Sequence, residues 1–346
     1  MIRVDSSTEI GSGHVMRCIT LGKQLQKSGD RVIFIMRDLP GNIIDVVKNN
    51  GFQVLIMPQA KCDISLDGYE QWLTVPVQQD AEEVLAAIKN YLQREADKTL
   101  QKNIGKIDRL VIDSYAIDYR WERILRSVTK EIFVIDDLAN RKHSCDILLD
   151  QNFYLDKDTR YNGLVPDNCQ LLLGPEHALL REEFYAAKKH LRHRDGKIKN
   201  ILVFYGGIDL TDETTKAIKA LIKVHKKYDF SVNVIVGKSN PKCKQVEELC
   251  AKYPYINYHC QVSNMAEYMN AADLMLGAGG TTTWERMFLQ LPCLVTAIAE
   301  NQLKICEDCA KAGIIDYLGR HSDATIEQIE KRLEKKFSSS ESRRKL

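Results

Sequence analysis

A histidine that directly follows a Gly-Ser-Gly turn between a predicted strand and a predicted helix is the first feature of this sequence that could do chemistry. Residues 5–18 read Asp-Ser-Ser-Thr-Glu-Ile-Gly-Ser-Gly-His-Val-Met-Arg-Cys. Gly11 and Gly13 allow a tight turn and the close approach of a ligand, and His14 falls in the opening turn of a predicted helix. The positive end of the helix dipole favours a neutral imidazole, which can act as a general base. The alternative is a helix cap or a packed loop histidine. Arg17 is either a solvated surface cation or faces the ligand.

Two further glycine-rich loops follow predicted strands in the second half of the chain. In residues 205–212, the pair Gly206 and Gly207 frees backbone N–H groups for a phosphate, although a tight turn followed by an Asp or Thr cap explains the same pattern. In residues 277–286, small residues pass into a predicted helix whose first turn offers N–H groups and hydroxyls to a diphosphate. The residues expected to contact it are Gly279, Gly280, Thr281 and Thr282.

Two polar residues near the third loop are candidates for the nucleotide. Glu285 lies about one turn into the predicted helix and is placed to hold both hydroxyls of a ribose; an ordinary surface glutamate is the alternative. Asn301 begins the next predicted helix and either reaches the same site or caps that helix.

Aspartates and cysteines are the residues of this sequence that could bind a metal ion. Asp136 and Asp137 end a predicted strand and favour a turn with a cap over a divalent cation, because no third carboxylate is spaced to complete a site. Cys306 and Cys309 have CxxC spacing but lack a second pair of ligands, so thiols are expected there. Asp113 and Asp150 also end strands and are expected to border a sugar pocket. The sequence therefore predicts neither a metal nor a cofactor.

The elements that position these residues alternate between strands and helices. β-Branched runs such as residues 31–36, 110–113 and 132–136 are separated by amphipathic stretches, and the pattern restarts at residue 200. This predicts an α/β protein with two Rossmann-type, doubly wound domains facing a cleft. A charged stretch at residues 188–197 is the expected linker. The predicted domains are residues 1–190 and 195–337, followed by a mobile tail, 338–346.

Composition and charge restrict the partners. Apolar residues make up 44% of the 346 residues and charged residues 28%, and 49 basic against 47 acidic side chains give a net charge of +2. Such a balance provides no global field for nucleic acid or an anionic membrane. No apolar run is long enough for a membrane span, and no secretory signal opens the chain. We expect a cytoplasmic protein, either a monomer or a weak oligomer.

The motifs together resemble a known family, the UDP-2,4-diacetamido-2,4,6-trideoxy-β-L-altropyranose hydrolases of pseudaminic acid biosynthesis. The resemblance lies in residues 10–18, 135–139, 150–152, 206–209 and 278–285 and extends to about residue 320. These hydrolases are similar in fold to GT-B glycosyltransferases, and a closely similar group takes part in spore coat polysaccharide synthesis. The resemblance implies a UDP-linked deoxy-diacetamido sugar as substrate and no metal.

The resemblance also implies a role for particular residues. His14 matches the base that activates water, and Glu285 and Asn301 match residues on the nucleotide side. The expected reaction is attack of water at the anomeric carbon, with inversion and release of UDP. Two other functions are compatible with the same motifs. One is a GT-B glycosyltransferase of surface polysaccharide synthesis that passes the sugar to an acceptor hydroxyl; the other is a non-catalytic nucleotide-sugar sensor.

Overall fold

The computed structural model describes residues 1–59, 66–99 and 105–342. The chain forms two compact units. The first contains Met1–Asn152 and Asp156–Leu179, and the second contains Phe153–Leu155 and the chain from Leu180 onward. Each unit is built on a parallel sheet whose strands alternate with helices, so the predicted class of two doubly wound α/β domains is confirmed.

The first unit has a seven-stranded parallel sheet in the order β3-β2-β1-β4-β5-β6-β7. Its strands are β1 Ile2–Val4, β2 Ile33–Arg37, β3 Gln53–Met57, β4 Ile107–Asp113, β5 Thr129–Ile135, β6 Ile147–Asp150 and β7 Gln170–Leu173. Its helices are α1 Gly13–Lys27, α2 Ile44–Asn49, α3 Val77–Thr99 and α4 Tyr119–Leu125, with 3₁₀ turns at Gly68–Leu73 and Pro175–His177. The strand order reverses between β1 and β4, and ligands of open α/β sheets bind beyond the carboxyl ends of strands at such a switch point.

Alternate residues of the strands fill two separate cores on the two faces of this sheet. Leu110 and Ile112 of β4 pack with Trp121 on one face, whereas Val111 packs with Val15 of α1 on the other. Because both faces of a parallel sheet are covered, its strands read as continuous apolar runs, which explains why they are visible in the sequence. The docking of Val15 fixes the first turn of α1 against β1 and β4.

The second unit has a six-stranded parallel sheet in the order β10-β9-β8-β11-β12-β13. Its strands are β8 Asn200–Phe204, β9 Ser231–Val236, β10 Ile256–Cys260, β11 Leu274–Ala278, β12 Cys293–Ala297 and β13 Asp316–Arg320. Its helices are α5 Glu182–Lys189, α6 Glu213–His225, α7 Cys243–Cys250, α8 Met265–Ala271, α9 Thr282–Phe288, α10 Leu303–Lys311 and α11 Ile326–Ser342, with a 3₁₀ turn at Glu300–Gln302. The switch point lies between β8 and β11.

The boundary between the units differs from the predicted linker. The second unit already begins at Leu180, so α5 belongs to it. The charged stretch at 188–197 is anchored, because Arg192 donates to the carbonyl of Ala272 and Arg194 to the carbonyls of Ala272 and Leu289. These arginines satisfy orphan carbonyls at helix ends, a role that charge content alone does not reveal.

The predicted mobile tail also needs correction, because α11 continues to Ser342. Ile329, Leu333 and Phe337 recur at helical spacing and are buried in the core of the second unit. The ring of Phe337 stacks on Tyr228 with centroids 4.6 Å apart. Residues 338–342 are therefore helical, and residues 343–346 lie outside the described part of the chain.

Within the described residues, no helix combines the length and apolar character required to cross a membrane.

A close backbone contact supports the loop after β8. A Cβ atom on Gly237 would lie 2.2 Å from the carbonyl oxygen of Gly207. We expect Gly237→Ala to lower the free energy of unfolding by about 1–3 kcal/mol, because overpacking forces the backbone to shift. Urea unfolding followed by circular dichroism measures this loss. Gly105→Ala is the matched control, since no heavy atom lies within 4 Å of its added Cβ. Equal stability of the two variants would contradict the prediction.

Candidate functional site

The loop after β1 presents His14 at the start of α1. Ser7 organises this loop: its Oγ accepts hydrogen bonds from the backbone N–H groups of Glu9 and Ile10, and its carbonyl accepts one from Gly11. Gly11 has φ +76°, a left-handed conformation that favours glycine. The predicted tight turn is therefore made at Gly11, whereas Gly13 already belongs to α1 and has no positive φ.

His14 forms a hydrogen-bonded pair with Asp113, the last residue of β4. Nδ1 of His14 lies 2.6 Å from Oδ1 of Asp113, whose side chain is fully buried, while 11% of the His14 side chain is exposed. When Nδ1–H donates to the carboxylate, Nε2 carries a lone pair and can accept a proton. In the part of the chain that the structure describes, no protein group is hydrogen-bonded to Nε2. Since β1 and β4 are neighbours, the pair sits at the switch point of the first sheet.

Arg17 lies one helical turn after His14 and also binds Asp113. Its Nε donates to Oδ2 of Asp113 at 2.6 Å and its Nη2 to Oδ1 at 2.7 Å. Burial opposes the ionisation of Asp113, but the Arg17 charge and the hydrogen bonds outweigh burial and hold the pKa of this carboxyl far below its usual range. The third nitrogen, Nη1, donates to Asp137 at 3.2 Å. Arg17 is 7% exposed, so a substrate contact of its guanidinium stays a prediction.

Aromatic rings surround the imidazole of His14. The ring of Tyr115 contacts it edge-on with centroids 4.7 Å apart, and the ring of Trp72 lies 6.2 Å away. Trp72 stacks on Tyr115, and Tyr69 packs against both. Tyr69 and Trp72 are not predicted from the sequence, because they come from a 3₁₀ turn distant in the sequence from the glycine loops. Their spacing of three residues, which brings both side chains to one face of such a turn, was the available signal.

Carboxylates follow the next two strands as well. Oδ2 of Asp136 accepts the backbone N–H of Ala139, and Oδ1 accepts from Arg141, so the predicted turn and cap is confirmed. The hydroxyl of Tyr161 bridges Asp136 and Asp150. Burial, followed by the negative charge of nearby Asp137, raises the pKa of Asp150 to about 7. In residues 1–59, 66–99 and 105–342, no three His, Cys, Asp or Glu side chains are grouped so that they could hold a metal ion.

The second glycine loop, in the second unit, is a tight turn with a helix cap. Gly206 has φ +94°, and Asp209 accepts hydrogen bonds from the backbone N–H groups of Glu213 and Thr214 at the start of α6. The alternative interpretation of Asp209 as a cap is thus confirmed. Gly207 faces the backbone of Gly237, and its contact with a phosphate stays a prediction.

The third glycine loop packs tightly against the start of α10. A Cβ atom on Gly279 would lie 2.2 Å from Sγ of Cys306, and one on Gly280 would contact the amide of Gln302 at 3.5 Å. Asn301, the residue before Gln302, belongs to the same 3₁₀ turn. Thr281 is the N-cap residue of α9 and Thr282 its first residue. The structure therefore brings the predicted residues of this loop and Asn301 to one edge of the second sheet, beyond the switch point between β8 and β11.

Glu285 lies on α9 in the second unit and is paired with Arg181. Its Oε1 accepts from the guanidinium of Arg181 at 3.1 Å, and Arg181 also binds Glu183 at 2.5 Å. Burial raises the pKa of Glu285 despite this partner. Only 17% of the Glu285 side chain is exposed, so Glu285 is not an ordinary surface glutamate.

The fold of the chain is that of the GT-B glycosyltransferases, as two comparisons show. Residues 201–345 match the glycosyltransferase family 28 C-terminal domain. The chain also aligns with the crystal structure of MurG from Acinetobacter baumannii over 97% of its own length and 89% of that chain, with a TM-score of 0.59 and 12% identity.

Two relatives are similar in sequence to most of this chain. It is 25% identical over 313 residues to the UDP-2,4-diacetamido-2,4,6-trideoxy-beta-L-altropyranose hydrolase of Campylobacter jejuni, covering 90% of this chain and 96% of that protein. It is 27% identical over 320 residues to an uncharacterized protein of Methanocaldococcus jannaschii, of whose length it spans 58%. The resemblance to the hydrolase family that the sequence motifs predict is thus confirmed across nine tenths of the chain.

The raised pKa of Asp150 predicts a pH-dependent stability. The folded-state pKa of about 7 lies above the usual value of about 3.9. The folded chain therefore binds a proton that the unfolded chain releases, so this group's contribution to stability is greatest below about pH 4 and is lost as pH rises through 7. We expect Asp150→Asn to remove that dependence, which has a slope of up to about 1.4 kcal/mol per pH unit.

Urea unfolding of the wild type and of Asp150→Asn between pH 4.5 and 8 tests this expectation. Asp158→Asn, at an exposed position of the following loop, is the matched control. A difference between wild type and Asp150→Asn that stays constant across this range would contradict it.

Proposed function

We propose that this chain hydrolyses a UDP-linked sugar, releasing UDP and the free sugar. The observation that carries the proposal is the pairing of Nδ1 of His14 with Asp113 at 2.6 Å, which leaves Nε2 to accept a proton. An imidazole held in this way at a sheet switch point is suited to general-base chemistry. The similarity to the Campylobacter jejuni hydrolase supports the same reaction class.

In the proposed reaction, His14 takes a proton from water while the water oxygen bonds to the anomeric carbon. The bond from that carbon to the oxygen of the β-phosphate breaks, and its electron pair leaves with UDP. Attack opposite the leaving group inverts the configuration. UDP is a good leaving group, so no general acid is needed, in contrast to the two carboxylates of glycosidases.

The second unit is proposed to bind the nucleotide. The loop of Gly279, Gly280, Thr281 and Thr282 offers N–H groups and hydroxyls to the diphosphate, together with Gly207. Glu285 is proposed to hold the ribose, with Asn301 on the same side. By the resemblance, the sugar is 2,4-diacetamido-2,4,6-trideoxy-β-L-altropyranose and the pathway is pseudaminic acid biosynthesis.

We expect His14→Ala to lower the rate of UDP release by about 100- to 10,000-fold, the usual contribution of a general base, while UDP affinity is unchanged. A coupled assay of UDP release and calorimetric titration with UDP measure the two quantities. His177→Ala, an exposed histidine of the same unit, is the matched control. Wild-type turnover of the His14 variant would refute the role of His14.

We expect Glu285→Ala to weaken UDP binding by about 10- to 100-fold, because a charge-assisted hydrogen bond contributes about 1.5–3 kcal/mol. Glu248→Ala, on the exposed face of α7, is the control. Calorimetric titration with UDP compares the two variants, and equal affinities would contradict the assignment of Glu285.

The site of bond cleavage separates two chemical routes. When hydrolysis is run in ¹⁸O-labelled water, attack at carbon puts the label into the free sugar. Mass spectrometry that finds the label in UDP instead would exclude the proposed mechanism.

The second candidate is a glycosyltransferase that uses the same UDP-sugar, which the family 28 C-terminal domain favours. A transferase should release little UDP without an acceptor, whereas a hydrolase needs none. UDP release from the purified protein and UDP-sugar alone therefore distinguishes the two activities.

A further inference from the structure

The imidazole of His14 lies beside two opposite charges at its Nδ1 side. Oδ1 of Asp113 is 2.6 Å from Nδ1, and Nη2 of Arg17 is 3.2 Å from the same nitrogen. Arg17 also contacts both oxygens of Asp113. The carboxylate that would hold a second proton on the imidazole is therefore itself paired with a guanidinium.

We propose that Arg17 keeps His14 available as a base by neutralising Asp113, and that Asp113 is a positioning residue that aims Nε2 away from the protein. As far as turnover is concerned, this inference rests on the proposed function. The ionisation of His14, however, is measurable in the protein without substrate. Arg17, which the sequence left as either a surface cation or a residue that faces the ligand, would thus control the base.

Two opposite charges near the imidazole ring act on its protonation. An unpaired carboxylate at hydrogen-bonding distance stabilises an imidazolium, which has no lone pair to accept a proton from water. A guanidinium 3.2 Å from the ring acts in the opposite direction, and at such short range in a buried site neither effect is screened by solvent. Arg17 therefore offsets the influence of Asp113 on His14 without displacing its hydrogen bond.

The other groups around His14 and Asp113 are compatible with this role of Arg17. Tyr115 and Trp72 contact the imidazole through uncharged rings. The thiol of Cys18 lies 3.4 Å from Oδ2 of Asp113. Asp137 accepts from Nη1 of Arg17 and from the hydroxyl of Tyr115, so it orients the guanidinium from the side away from Asp113.

The geometry requires arginine in preference to lysine. Three nitrogens of Arg17 are used at once, two on Asp113 and one on Asp137. A lysine ammonium has the charge but not the planar fork that places two parallel donors on one carboxylate. Arg17→Lys should therefore preserve part of the effect.

The test is a charge cycle read by NMR titration of ¹⁵N-labelled histidine in the full chain without substrate, with the His14 signal assigned by its loss in His14→Ala. We expect the titration midpoint of His14 to rise by about one to three pH units in Arg17→Met, the usual effect of an uncompensated neighbouring charge. It should fall in Asp113→Asn, where Arg17 alone remains, and return towards the wild-type value in Arg17→Met with Asp113→Asn. Arg17→Lys should lie between wild type and Arg17→Met.

The activity readout is the pH profile of kcat/KM. In Arg17→Met its acid limb should move to higher pH by the same amount, with activity recovered at alkaline pH, which a merely structural role would not produce. Midpoints of His14 that are equal in Asp113→Asn and the double variant would overturn the proposal, even if Arg17→Met alone does not fold. Absence of UDP release from every protein, wild type included, would refute the proposed function but leave the NMR cycle to decide this inference.

Discussion

Asp113 is a charged carboxylate with 1% exposure, and a buried charge is tolerated only where partners compensate for the loss of water. Its partners, Arg17 and His14, both lie in the first two turns of α1, so this single carboxylate ties the start of α1 to the end of β4. The rotation of α1 about its axis is fixed at the same time by Val15, which packs into the core on the opposite side. These contacts hold the imidazole in one orientation, which suits the role of a preorganised base that is proposed for it.

The pairing of an aspartate with an arginine recurs along the carboxyl edge of the first sheet. Aspartates stand at the ends of three adjacent strands, β4, β5 and β6, and each is matched with an arginine. The pairs are Asp113 with Arg17, Asp136 with Arg141, and Asp150 with Arg160. Their pKa values differ. Two hydrogen bonds from Arg17 help to hold the pKa of Asp113 far below its usual range, whereas burial and the charge of Asp137 raise the pKa of Asp150, whose contact with Arg160 is 3.3 Å long. The edge of the sheet thus carries a row of carboxylates, and the pKa of each depends on its own neighbours.

In the second unit, glycines allow loops to pack closely because they have no side chain. Gly279 is required because the thiol of Cys306 occupies the space of a Cβ, and Gly237 because the backbone of Gly207 does. These close approaches pack the loop after β8 against the loop after β9, and the loop after β11 against α10. Burial shifts the carboxyl group of Glu285 towards its neutral form, and Arg181 opposes that shift.

Local pattern determined the positions of the main strands, the three glycine loops and His14, because β-branched runs and strand-to-helix turns are encoded within a few neighbouring residues. It misplaced the boundary between the units and the end of α11, because those depend on which distant surface a charged or serine-rich segment packs against. Local pattern also did not reveal the partners of His14. Asp113 lies 99 residues away, and the parallel pairing of β1 with β4 brings it to the imidazole. The sequence by itself thus singled out the histidine that is proposed as the base. The tertiary structure decided what holds that base and which charges act on it, since electrostatic effects depend on distances in space that local pattern does not record.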